Sequence, residues 1–256
     1  MIIDYKLILY TYYPVLILVL IAGLRDRFEP QNKVLKAHNW TLIPAIFLMI
    51  FFHSGSVVIQ SFWYYIPIFK NYEYNQFNLD IVIFGEDLLI LILAYLFLRY
   101  IYHVSIADAF YLKLSQFPFI LKVCAVLTII NICIYFLDLN SLPNIQGTDY
   151  EFLRSMNMKN FVIYYFGVVI IAPIVEESIF RGLIFSPLYR KCGRYIALVL
   201  SSLFWTYGHP NPLLSSIGIF IFGLILGWLY DRSGSLIHPI VLHMFQNSWI
   251  VVYYLT

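Results

Sequence analysis

Three stretches in the C-terminal third of this largely apolar sequence contain side chains that can exchange protons or form hydrogen bonds. These residues are Glu176, Glu177, Arg181, His209, His243 and Asn247. Carboxylates and imidazoles placed together can activate water by taking up and returning protons. A charged side chain at the centre of a membrane helix costs at least about 2.5 kcal/mol on insertion scales. Each of these residues is therefore a candidate for function.

The first stretch contains two acids and one base on a predicted helix. Glu177 and Arg181 are four residues apart, so they share a helical face and can form an ion pair. Glu176 is five residues from Arg181 and faces elsewhere. A buried carboxylate without a partner is costly, so Glu176 needs a partner on another helix. Taken alone, the Glu177–Arg181 pair also fits a purely structural contact between packed helices.

The histidines are the candidate partners of Glu176. Glu176 lies 17 residues before Gly193, and His209 lies 16 residues after it. If the chain reverses at this basic turn, an antiparallel helical hairpin brings the two side chains to the same depth. His243 and Asn247 share one face of the last apolar segment. Taken alone, His209 could cap a helix end, and the other two could form interhelical hydrogen bonds.

The predicted depth of His243 in the membrane is harder to match with that of His209. His209 is predicted near the end of its helix, whereas His243 follows the start of its own helix by about eight residues, or ~12 Å of rise. Convergence then requires a tilted or broken segment. The candidate positions for such a break are Pro187, Gly218, Gly223 and Gly227.

The composition defines the elements that must position these groups. Of 256 residues, 61% are hydrophobic and only 12% are charged, against about 25% charged in soluble domains. This composition argues against a soluble enzyme and a disordered chain. The net charge of +2 without a basic stripe argues against nucleic-acid binding.

The predicted fold is all-α, a polytopic membrane bundle of about eight transmembrane helices, since a span needs about 20 mostly apolar residues. Residues 1–160 are predicted to form about four helices and a connecting loop over Asn140–Asn160, and residues 161–256 to form the core that carries the polar motifs. The eight candidate segments are Leu7–Leu24, Thr41–Phe69, Ile81–Tyr102, Phe117–Leu137, Phe161–Leu188, Tyr195–Tyr207, Leu213–Tyr230 and Leu236–Leu255.

The order of the motifs resembles the CPBP (ABI) family of intramembrane proteases, which includes the type II CAAX prenyl endopeptidases. The family pattern is EExxxR, then FxxxH, then HxxxN, and here it is matched by 176–181, by His209 and by 243–247. One departure is that Trp205 stands where the second motif has Phe. The resemblance implies a conical catalytic cavity within the membrane.

The resemblance also implies roles for the individual residues. Glu176 and His209 would activate a water molecule that attacks a peptide carbonyl. His243 and Asn247 would direct donors at the developing oxyanion. The pair Glu177–Arg181 would fix the helix that carries the site. A substrate pocket is expected to be lined by Trp205 and Phe180.

A metal is the open question. The family was long classed as metalloproteases, and Glu176, His209 and His243 are all acceptable zinc ligands. However, the sequence has no HExxH spacing, and Asn247 and Arg181 are poor companions for zinc. We favour catalysis without a cofactor, with zinc as the alternative.

The expected partners are membrane lipid and a peptide or lipidated protein substrate, at the plasma membrane, and no nucleic acid. Two other functions compete with proteolysis. One is a catalytically idle scaffold or bacteriocin-immunity protein, and the other is a transporter with a proton relay through its two adjacent glutamates. Glu86 and Asp87 are expected at the membrane interface, with a place at the substrate entrance as the alternative.

Overall fold

The structure of the chain, a computed structural model, describes residues 76–103, 153–209 and 213–255, together with single positions and short runs between 65 and 132. In this described part the ordered elements are helices, as predicted. Apart from Tyr65, the segments Leu7–Leu24 and Thr41–Phe69 lie outside the described residues, and so does most of Phe117–Leu137. The count of eight helices and the conical cavity therefore stay predictions.

Five long helices carry the described part of the chain, and we number them α1 (Gln76–Ile101), α2 (Met158–Cys192), α3 (Arg194–Tyr207), α4 (Leu213–Ser233) and α5 (Ile237–Leu255). Among the described residues, three ranges are long and apolar enough to cross a bilayer: Asp80–Ile101, Met158–Cys192 and Ser216–Ser233. Large apolar side chains are exposed along α1 and α3. These features support an integral membrane protein.

Helix α2 begins earlier than the sequence pattern suggested. The Asn157 side chain accepts a hydrogen bond of 2.9 Å from the backbone N–H of Asn160, which caps the helix start at Met158. The predicted loop, which extended to Asn160, was therefore too long at its C-terminal end. The helix also continues past Leu188 to Cys192.

Two π-helical segments interrupt α2, at Gly167–Ile171 and Ser178–Phe185. Between them, Ala172–Glu177 is α-helical and carries both acids of the first motif. Pro187 lies in the first turn of the α-helical segment that follows the second π segment. Proline has no backbone N–H, so it removes one hydrogen bond to the preceding turn at this position. The chain nevertheless stays helical through Pro187 to Cys192, so a break, one of the two possibilities predicted there, does not occur.

The chain reverses between α2 and α3 at Gly193, which has φ 84°. Glycine adopts this conformation without the steric cost that a side chain would incur. The two helices pack against each other along the resulting hairpin. The predicted reversal at the basic turn is confirmed.

Helices α3 and α4 approach each other closely through two glycines. A Cβ atom on Gly223 would lie 3.0 Å from Trp205 Cε3 and 3.1 Å from Ser202 Cβ, and one on Gly227 would lie 3.0 Å from Leu198 Cδ2. Small residues four apart are typical of tight contacts between membrane helices. Helix α4 is continuous from Leu213 to Ser233. These glycines therefore provide close packing, and the helix is not broken at them; a tilt, the other predicted possibility, stays a prediction.

Helix α1 packs directly against the first π segment of α2. A Cβ atom on Gly167 would lie 2.0 Å from Phe84 Cε2, so the phenyl ring occupies the space that any other residue would fill. Helix α1 also contacts the Ala172–Glu177 segment. Helix α1, which precedes the motifs in the sequence, therefore packs next to the segment that carries Glu176 and Glu177.

Candidate active site

Glu176 lies at the meeting point of three helical elements. Its side chain is buried, and its Oε2 atom accepts a hydrogen bond from the indole Nε1–H of Trp205 on α3. The same oxygen lies 3.9 Å from Nε2 of His209, just after α3, and 4.0 Å from Nε2 of His243 on α5. The hairpin prediction for Glu176 and His209 is therefore confirmed, and His243 joins them at the same depth.

The hydrogen bonds assign the tautomers of both imidazoles. His209 Nδ1 lies 2.9 Å from the backbone oxygen of Trp205, and His243 Nδ1 lies 3.0 Å from Glu177 Oε1. A carbonyl and a carboxylate oxygen only accept, so each Nδ1 is the donor. In a neutral imidazole, Nε2 is then an acceptor, and both Nε2 atoms face Glu176.

This arrangement places three acceptors around one small volume. The separations of 3.9 and 4.0 Å exceed a direct hydrogen bond. A molecule that supplies hydrogens, such as water, can bridge acceptors at such a separation. The site is therefore suited to holding water against a carboxylate and two imidazoles, which is what a general-base hydrolysis requires.

Glu177 and Arg181 are fully buried and form the predicted ion pair, with 2.9 Å between Arg181 Nη1 and Glu177 Oε1. Arg181 also donates from Nη2 to the backbone oxygen of Gly223 on α4, at 3.0 Å. Because Glu177 accepts from His243 as well, this pair connects α2 with both α4 and α5. The pair thus fixes the orientation of one imidazole of the site, a contact that the sequence did not reveal.

Trp205 contacts several members of the site. Its ring lies edge-on to the imidazoles of His209 and His243, with centroid distances of 5.1 and 5.3 Å. The Arg181 guanidinium lies 4.9 Å from the ring centroid, a cation–π arrangement. The Phe of the family motif could not make the indole hydrogen bond to Glu176.

The two residues predicted to line a substrate pocket are both buried. Trp205 is 3% exposed, and Phe180 is fully enclosed in the hydrophobic core next to Ile179 and Leu183. Their contact with a substrate stays a prediction. The structure gives Trp205 a second role, since it donates to Glu176.

Asn247 connects α5 to the first π segment of α2. Its Nδ2 atom donates to the backbone oxygen of Val168, at 2.9 Å. A π segment lacks the regular α-helical bonding pattern, and here Asn247 bonds a carbonyl within it. The amide has a second N–H, so its predicted oxyanion role stays a prediction.

Asp87 is one of the two acids that were predicted at the membrane interface. It is 5% exposed and lies on α1, the helix that packs against the Ala172–Glu177 segment of α2. The interfacial interpretation and its alternative at the substrate entrance both stay predictions for Asp87.

Three side chains of the site have donor atoms that could bind a metal ion. Glu176, His209 and His243 are of the right types, but within the described residues no three His, Cys, Asp or Glu side chains are arranged to hold a metal ion. Trp205 also donates to the Glu176 oxygen that a metal would need. We therefore derive no chemical step through a metal.

The part of the chain that carries this site is similar to known proteins. Residues 158–249 match the family model described as type II CAAX prenyl endopeptidase Rce1-like. The chain is 34% identical over 103 residues to the membrane-embedded CAAX protease MroQ of Staphylococcus aureus, covering 36% of this chain and 40% of that protein. It is 33% identical over 83 residues to the putative membrane peptidase YdiL of Bacillus subtilis, covering 32% of this chain and 34% of that protein.

A third relative, the UPF0177 protein YaiF of Lactococcus lactis, is 27% identical over 117 residues, which cover 43% of this chain and 52% of that protein. The chain thus spans between about a third and about half of the length of these relatives. No solved structure matches the chain. The matched region contains every residue of the three motifs, so residues 158–249 are similar in sequence to the type II CAAX prenyl endopeptidases that the motif order indicated.

Proposed function

We propose that this protein is a multi-pass membrane endopeptidase that hydrolyses a peptide bond with water activated by Glu176 and His209. The observation that carries the proposal is the position of one Glu176 oxygen, 3.9 Å from His209 Nε2 and 4.0 Å from His243 Nε2. The names of the relatives and the apolar helices support the same activity.

The proposed reaction needs no covalent enzyme intermediate. Glu176 takes a proton from the water while the water oxygen attacks the carbonyl carbon, and His209 Nε2 orients the same water. The carbonyl π electrons move to the peptide oxygen, which becomes an oxyanion. The C–N bond then breaks as Glu176 returns the proton to the departing nitrogen. One water is consumed, and an acid and an amine are released.

The oxyanion requires donors at the opposite side of the carbonyl. When His243 is protonated, its Nε2–H can donate to the oxyanion while Nδ1–H remains bonded to Glu177. Glu177 would stabilise that imidazolium electrostatically. The free N–H of Asn247 is the second proposed donor. In other hydrolases, one such donor contributes about 3 kcal/mol to transition-state stabilisation.

The proposed substrates are peptides or lipidated proteins at the plasma membrane, held by lipid and by the helices around Glu176. Because the chemistry rests on Glu176 and the imidazoles, we propose catalysis without a metal. A catalytically idle scaffold or immunity protein would need none of these three groups. We therefore rank that alternative second.

The test is cleavage of a membrane-anchored reporter peptide by purified protein in lipid vesicles, with products identified by mass spectrometry. Glu176→Gln should lower the rate by about 10²- to 10⁴-fold, the usual contribution of a general base. Glu86→Gln on α1 is the matched control and should retain activity. If Glu176→Gln cleaves like the wild type, or if an immunity phenotype survives this change intact, the proposed function is wrong.

A further inference from the structure

Tyr165 connects α2 to α5 through a hydrogen bond that none of the three motifs includes. Its hydroxyl lies 3.2 Å from the hydroxyl oxygen of Ser248, and both side chains are half-buried. The Ser248 hydroxyl itself donates to the backbone oxygen of Met244, at 2.9 Å. A hydroxyl has one hydrogen, so Ser248 accepts here and Tyr165 is the donor. The result is a chain of two hydrogen bonds that ends on the backbone of α5.

A second hydrogen bond between the same two helices lies next to this one. Asn247, the residue before Ser248, donates from Nδ2 to the backbone oxygen of Val168. Val168 lies in the π segment Gly167–Ile171, whereas Tyr165 lies in the last turn of the α-helical segment that precedes it. The two bonds therefore connect consecutive residues of α5 to the two sides of the junction at which α2 changes from α-helical to π-helical.

The packing around Tyr165 limits the movement of its ring. Phe161, one turn earlier on α2, has its ring centroid 6.0 Å from that of Tyr165. The ring of Phe84 on α1 packs against Gly167, two residues after Tyr165. The Tyr165 hydroxyl is thus carried by a segment that is itself packed against α1, which suits it to hold α5 in place.

The contacts between α5 and α2 determine where the Asn247 amide points. The amide is planar, and one of its two N–H bonds is directed at Val168. The direction of the other N–H, the proposed oxyanion donor, is then set by how α5 is rotated against α2. The bond from His243 to Glu177 fixes α5 one turn before Asn247, and the bond from Tyr165 fixes it directly after. An oxyanion donor is effective only within about 0.5 Å of its productive position.

We propose that Tyr165 is a positioning residue of the active centre, which acts through Ser248 to hold the Asn247 amide in the orientation that stabilises the oxyanion. The inference rests on the proposed function, in which Asn247 is an oxyanion donor. Tyr165 touches neither the substrate nor the attacking water in this scheme and acts through α5. Its loss should therefore slow the chemical step and leave substrate binding unchanged.

The first test is steady-state cleavage of the reporter peptide in vesicles. Tyr165→Phe keeps the ring and removes the donor. Its kcat should fall about tenfold at unchanged KM, within the roughly hundredfold loss that a misplacement of about 1 Å can cause. Ser248→Ala removes the acceptor and should give the same loss. Tyr195→Phe on α3 is the matched control and should retain activity, since Tyr195 is 78% exposed.

The decisive comparison repeats Tyr165→Phe in an Asn247→Ala background. Because Tyr165 acts through Asn247, its replacement should have no further effect on kcat once the amide is absent. Equal fold-losses in the two backgrounds would mean that Tyr165 has a general structural role, and wild-type kcat in Tyr165→Phe would mean that it has none. Either result overturns the proposal. Full activity of Asn247→Ala would instead overturn the oxyanion role within the proposed function.

A second measurement does not depend on activity. In NMR spectra of protein with isotopically labelled asparagine, the side-chain amide signal of Asn247 is identified as the one that Asn247→Ala lacks. Tyr165→Phe should shift this signal, and Tyr195→Phe should leave it in place. An unshifted signal in Tyr165→Phe overturns the positioning role, whatever the outcome of the cleavage assay.

Discussion

Trp205 donates its indole N–H to Oε2 of Glu176, the oxygen that both imidazoles of the site approach. The hydrogen bond joins α3 to α2 and holds the carboxylate in one orientation. The backbone oxygen of the same tryptophan accepts from His209 Nδ1. One residue thus sets the direction of the acid and the tautomer of one of its partners.

Replacing Trp205 with Phe tests this hydrogen bond, because it keeps an aromatic ring and removes the donor. A hydrogen bond to a charged group contributes about 1.5–3 kcal/mol, so kcat/KM should fall about ten- to a hundredfold. The measurement is steady-state cleavage of the reporter in vesicles. Trp228→Phe on α4 is the matched control, since Trp228 is not among the contacts of Glu176. Wild-type activity in Trp205→Phe would mean that the indole N–H has no role.

Removing Arg181 should destabilise the protein strongly, because Glu177 would remain as a buried charge without its cation. The expected loss for Arg181→Met is about 3–5 kcal/mol in the free energy of unfolding, measured by denaturation in detergent. Both side chains of this pair are fully buried. The double variant Glu177→Met with Arg181→Met should recover part of the loss, because no unpaired charge remains.

The ion pair between Arg194 and Asp231 provides the control for that experiment. The Arg194 side chain is 17% exposed, whereas that of Arg181 is fully buried. Arg194→Met should therefore cost less than Arg181→Met. Equal losses for the two variants would show that the burial of Glu177 does not dominate the energetics.

Gly167→Ala tests the packing of α1 on α2. A methyl group there would collide with the Phe84 ring, and overpacking of this kind typically costs about 1–3 kcal/mol. Gly85→Ala is the control, since within the described part no atom beyond its chain neighbours and its own helix backbone lies within 4 Å of an added Cβ, and it should be neutral or stabilising. In a double-mutant cycle, Phe84→Leu should relieve the effect of Gly167→Ala, and strict additivity would contradict the contact.

Chelation tests the proposed metal-free mechanism. Because the proposed steps use only Glu176 and the imidazoles, a strong zinc chelator should leave the cleavage rate unchanged. Elemental analysis of active protein should find less than one zinc per chain. A loss of activity that zinc alone restores would favour the zinc alternative with Glu176, His209 and His243 as ligands.

The contacts that the sequence predicted are those governed by local spacing. The ion pair between Glu177 and Arg181 follows from a separation of four residues on a helix. The approach of His209 to Glu176 follows from the matched distances to Gly193. Both contacts depend only on regular helix geometry and on one reversal of the chain, and both of these can be predicted from a single sequence.

The contacts that the sequence did not reveal depend on how separate helices are rotated. Glu177 reaches His243 across 66 residues, and Asn247 reaches Val168 across 79 residues. The two π segments of α2 also have more residues per turn than an α-helix. A side-chain direction predicted at 3.6 residues per turn is therefore increasingly in error along α2. The place of Asp87 depends on the docking of α1, which has no signature in the motifs.

The hairpin around Gly193 limits how chains with this site can change in length. One residue added between 177 and 192, or between 194 and 208, would displace Glu176 from His209 by about 1.5 Å along the axis and turn one of them by about 100°. An equal addition in the other arm restores the depth but leaves both side chains rotated. Natural insertions and deletions should therefore fall at the reversal itself or outside the two arms. In a library of random insertions, active variants should likewise carry none within either arm.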